Sequence, residues 1–165
     1  MNASLSVAVK YSLFTTGGLV AYFLFLKLFG LHENAWLRFF NGLIMAAGIY
    51  FSIQYYKMKT GESFTYVDGF KTGILTGFIA TLIFTIFMGI YMFHLDKAFA
   101  QTLLKEWFDN TDQGAGLLII IILIEGLAST AVLTLTCMQI FKKSHNVGQQ
   151  ENLVEHKKED EIANT

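Results

Sequence analysis

The residue in this sequence best placed to do chemistry is Glu125, a lone acid in an apolar run that opens at Leu117 and continues to Phe141. An ionised carboxylate near the middle of a bilayer costs about 2.5 to 3.5 kcal/mol on insertion scales, so something must compensate it. On a helix, Glu125, Ser129, Val132, Thr136 and Gln139 share one stripe, and a mostly polar stripe is expected to face other helices rather than lipid. Glu125 lies eight residues inward of Leu117, roughly 12 Å. Tyr22 reaches a similar depth and Lys27 lies above it on the first apolar run. These two are the expected partners. Two chemistries stay open for Glu125. It serves either as a protonatable site in an ion-handling pathway, or as a neutral acid whose hydrogen bond fixes helix register.

Other reactive types offer less. His32, His94, His145 and His156 are scattered at helix ends, in connections or in the tail, without the spacing a metal needs, so no metal and no cofactor are expected. The single cysteine, Cys137, sits in apolar sequence where a thiol is usually inert. A phosphate-binding glycine loop, a nucleophile elbow and a zinc-protease helix are all missing, so the sequence argues against an enzyme. Lysine plus arginine number 12 against 13 acids, which leaves no basic field for nucleic acid.

The elements that must position these residues follow from composition. With 53% hydrophobic and only 15% charged residues, the chain has the balance of a membrane protein, and the lack of proline suits long uninterrupted helices. Crossing about 30 Å of hydrocarbon takes roughly 20 apolar residues. Four gaps between charges are long enough, at about 11–29, 38–56, 72–93 and 117–141. The expected fold is therefore all-α, an integral-membrane four-helix bundle over residues 1–143. Residues 144–165 hold five acids, two lysines and little apolar content, and are expected to form a disordered tail. Six cations, Lys10, Lys57, Lys59, Lys71, Lys142 and Lys143, fall on one side of the spans, against four on the other. That bias predicts both termini in the cytoplasm.

Two connections carry more than length. Between the third and fourth spans, Leu95, Phe99, Leu103 and Trp107 recur every four positions, with Lys97, Gln101 and Lys105 on the other side. This predicts a short amphipathic helix in the membrane interface, with Trp107 at headgroup depth. It either covers the mouth of the bundle or serves as a lid or docking surface. Before the third span, Thr65 and Asp68 have capping-box spacing, and Phe64 is placed to staple the helix start. Gly69, Gly73 and Gly77 then recur every four residues, with Ala80 behind them. Such a stripe admits a close helix partner, either within the chain or across a dimer seam. Weaker polar and small stripes run along the first span (Tyr11, Thr15, Gly18, Tyr22) and the second (Asn41, Met45, Gly48, Ser52, Tyr55).

The four-span layout and the stretch Ser63-Phe-Thr-Tyr-Val-Asp-Gly-Phe-Lys-Thr-Gly73 leading into a glycine-rich helix resemble the domain of unknown function 4199 family of small bacterial inner-membrane proteins. The resemblance covers roughly residues 5 to 143. It implies location and architecture and transfers no catalytic residue. The expected role is a structural or accessory component of the inner membrane, with the bilayer and a second copy or another membrane protein as partners. The alternative is a small transporter or channel-like protein that uses Glu125.

Overall fold

Without proline, nothing in the apolar runs stops a helix, and in the computed structural model each helix continues until polar or glycine-bearing sequence ends it. The structure describes residues 3–31, 35–108 and 114–141. The helices are α1 (Ala3–Leu28), α2 (Ala35–Thr60), α3 (Tyr66–Ile90), α4 (Lys97–Phe108) and α5 (Ala115–Phe141). Four of them, α1, α2, α3 and α5, are long and apolar enough to cross a membrane. The fold is an all-α helical bundle. Its helices overrun the apolar gaps, most at the start of α1, because hydropathy marks a crossing and not the end of helical backbone. The expected tail, 144–165, and the cations Lys142 and Lys143 lie outside the described residues.

Local signals account for the turns. Helix α1 ends at Gly30, whose φ of 68° suits a residue without Cβ. The Gly30 and Leu31 amides donate to the carbonyls of Lys27 and Leu26, both at 2.9 Å, which closes the last turn. At the start of α3 the Thr65 hydroxyl accepts from the Asp68 amide at 3.2 Å and donates to the Asp68 carboxylate at 2.6 Å. The acid thus turns to the cap hydroxyl, whereas a full capping box would send it to the cap amide. Beyond Ile90 the helix widens into one π turn, Tyr91–Leu95, closed by the Asp96 amide on the Tyr91 carbonyl at 2.9 Å.

Helix α3 is the hub, packing against α1, α2 and α5. One core cluster, around Leu19, Met45, Ile49, Ile53, Ala80 and Met138, fills the half of the bundle nearer the Gly61–Ser63 turn. A second cluster at the other end joins Phe23, Met88, Tyr91 and Leu118 to Phe99, Ala100, Leu103 and Leu104 of α4. The amphipathic helix therefore buries its apolar face on the bundle mouth. Flat immersion in the interface would have left those residues outside the core. Leu95 remains exposed because it falls in the π turn, off the α4 face. The side chain of Trp107 lies outside the described part.

Candidate functional site

Glycine and threonine decide which face of α5 turns inward. A Cβ on Gly73 would fall 2.7 Å from Thr134 Cγ2, and one on Gly77 would overlap the Thr130 side chain. The arrangement reverses one turn further on. There Gly126 of α5 leaves room for Thr81 of α3, whose Cγ2 would meet a Cβ at 2.5 Å. Threonine fits such a notch because its methyl fills the space above the glycine; the Thr130 hydroxyl returns to its own helix, whereas that of Thr134 has no partner among the described residues. Gly69, lower on the same stripe, is covered by Phe64 and Met138. The same device joins α1 to α2, where Thr15 lies over Gly48.

The interior hydroxyls are largely spent on helix backbone. Ser12 donates to Val9 O, Thr15 to Tyr11 O and Thr130 to Gly126 O, each at 2.8 Å, and Thr76 donates to Thr72 O at 2.7 Å. With the single Thr76 proton committed, the 2.7 Å contact between Ser52 and Thr76 makes Ser52 the donor. Ser12, Ser52, Thr72, Thr76 and Thr134 have no exposed surface. Among the described residues, the fully buried side chains are apolar or hydroxyl-bearing, and the half-buried Asn41 keeps its Oδ1 away from solvent without a partner.

This packing turns the expected stripe of α5 the other way. Glu125, Val132, Thr136 and Gln139 are exposed and Ser129 is half-buried, whereas Thr130, Thr134, Cys137 and Met138 occupy the inner face. Polarity suggested one face, but close approach to the α3 glycines selects the face carrying threonine. The Glu125 side chain makes no hydrogen bond or ion pair with another described residue. The Thr136 hydroxyl donates to Val132 O at 2.9 Å, within its own helix. Neither expected partner meets the acid. The Tyr22 hydroxyl donates to Leu37 O at 2.8 Å, linking α1 to α2, and Lys27 Nζ lies 4.5 Å from the centre of the Tyr91 ring.

Lys27 thereby joins a site absent from the sequence reading. The Tyr91 hydroxyl donates to Asp96 Oδ2 at 3.0 Å, and Asp96 Oδ1 accepts the Phe99 amide at 3.0 Å, which caps α4. The rings of Phe23 and Phe99 meet Tyr91 edge to face, at 4.9 and 5.8 Å between centroids. One buried tyrosine thus holds a cation over its face and an acid on its hydroxyl, fastening α1, the π turn and α4 together. Its signal in the sequence is Asp96 placed three residues before Phe99, the spacing of a helix cap. The arrangement can fix geometry and bind a proton, and the described residues contain no group of three metal-ligating side chains.

No curated protein and no solved structure matches the chain. Residues 10–143, which run from α1 through α5 and include the glycine stripe, the Lys27–Tyr91–Asp96 clasp and Glu125, match the family described as protein of unknown function (DUF4199). The chain belongs to that family.

Proposed function

We infer that the protein is an integral component of the bacterial inner membrane with a structural or accessory role, acting through its surfaces and catalysing no reaction. The observation that supports this most is the placement of polarity. Most hydroxyls inside the bundle are engaged by helix carbonyls or by one another, with Thr85 and Thr134 the exceptions among the described residues, while the one acid of α5 lies on its outer face. An ion path needs polar groups free to exchange partners along the interior, and hydroxyls committed to helix carbonyls do not supply them. An exterior rich in Phe14, Trp36, Phe39, Ile86, Ile124 and Ile140 suits contact with acyl chains. The lysine bias puts both termini and the Gly61–Ser63 turn in the cytoplasm, so a cysteine at Ser63 should resist impermeant thiol reagents in intact cells. Labelling there would invert the orientation.

Purified protein in liposomes carrying an internal pH dye tests the role. The expected proton leak equals that of empty liposomes, before and after Glu125→Gln. A leak that the wild type adds and Glu125→Gln abolishes would replace this reading with transport through Glu125.

A further inference from the structure

On α5, residues Glu125, Ala128, Val132, Leu135 and Gln139 are spaced by three, four, three and four, and all five are exposed. That alternation averages 3.5 residues, the period at which a helix keeps one seam against a similar helix in a left-handed crossing. Among the described residues nothing covers this seam: 11% of the α5 apolar window is buried, against 39% for α3, and its covered side is the threonine face. In a bilayer the seam would hold the Glu125 carboxyl against lipid, while Gln139, two residues before the end of α5, reaches the interface. The carboxyl finds no partner in acyl chains.

We propose that the Glu125–Gln139 seam of α5 is the contact surface for a second copy of this chain, with the two Glu125 carboxyls hydrogen-bonded to each other across a two-fold axis along the membrane normal. The inference rests on the reading of the protein as membrane-embedded. Two copies inserted in the same direction present each residue to its own counterpart at the same depth, so the occupant must complement the seam residue by residue. A protonated carboxyl both donates and accepts, and so does a primary amide, which makes Glu125 and Gln139 complementary to themselves. Ala128, between them, keeps the helices close enough for short side chains to meet. Val132, 62% exposed, and Leu135, 49% exposed, then supply the apolar contact. A polar residue at one seam position also fixes register, which gives Glu125 a reason to be there.

The full chain carrying Cys137→Ala and one new cysteine, oxidised in native membranes, tests the seam. Ala128→Cys and Leu135→Cys should give a disulfide-linked species of twice the chain mass. Phe14→Cys on α1 and Leu43→Cys on α2, both exposed, should not. The native sequence in lipid nanodiscs should have the mass of two chains. Glu125→Leu should weaken association by about 5- to 30-fold and Glu125→Gln by no more than about threefold. Monomeric protein that resists carbonate extraction would overturn the dimer and leave the membrane reading intact, whereas release by carbonate would overturn both. Equal cross-linking at all four positions, an adduct with a different protein, or a Glu125→Leu variant that associates normally would each overturn the seam.

Discussion

Gly77 and Thr130 show how single side chains set the contact between α3 and α5. The Thr130 side chain occupies the space where a Cβ on Gly77 would sit, and Thr130 is itself on a packed helix with its hydroxyl bound to Gly126 O. Gly77→Ala should therefore force the helices apart and cost about 1 to 3 kcal/mol, as overpacking does. Gly42, with nothing within 4 Å of its would-be Cβ, is the matching control. Gly42→Ala should be neutral or stabilise by up to about 1 kcal/mol through helix propensity. Thermal unfolding in detergent measures both changes. Equal losses would show that the notch is not a close contact.

At the scale of elements, α4 is held by few polar bonds and one apolar face. Asp96→Ala removes both the cap on the Phe99 amide and the acceptor of the Tyr91 hydroxyl. The expected cost is about 1 to 3 kcal/mol, with amide hydrogen exchange rising in α4 while α1 and α3 stay protected. Tyr91→Phe, which keeps the ring under Lys27, should cost less. Uniform loss of protection along the chain would mean that α4 does not open separately.

The same scale explains what the sequence could tell. Four helices, the Thr65 cap and the small-residue stripe on α3 were all legible, because length, hydropathy and spacing are properties of one segment at a time. The rotation of α5 was not. That helix carries two polar faces, one with Glu125, Thr136 and Gln139 and one with Thr130 and Thr134. The choice between them depends on the shape of α3, where a threonine methyl fills the notch over a glycine and a glutamate has no notch of its own. Lys27 was likewise placed near the right end of the bundle but with the wrong partner. Its contact, Tyr91, sits where a π turn shifts the ring register, and no periodicity announces such a turn.

For the whole molecule, the bundle has an interior lined mainly by apolar and hydroxyl side chains and an apolar exterior, the proposed contact surface for lipid and a second copy. A closed interior excludes water, and that can be measured directly. With Cys137→Ala as background, Ser52→Cys and Thr76→Cys place small thiols at two positions that have no exposed surface on α2 and α3. Met58→Cys serves as the exposed reference, between Lys57 and Lys59. Rates of reaction with a small water-soluble thiol reagent in native membranes are the measurement. The account predicts rapid labelling at position 58, and labelling at 52 and 76 no faster than in the cysteine-free protein. Labelling of either interior cysteine at a rate close to that of Met58→Cys would place water inside the bundle and contradict it.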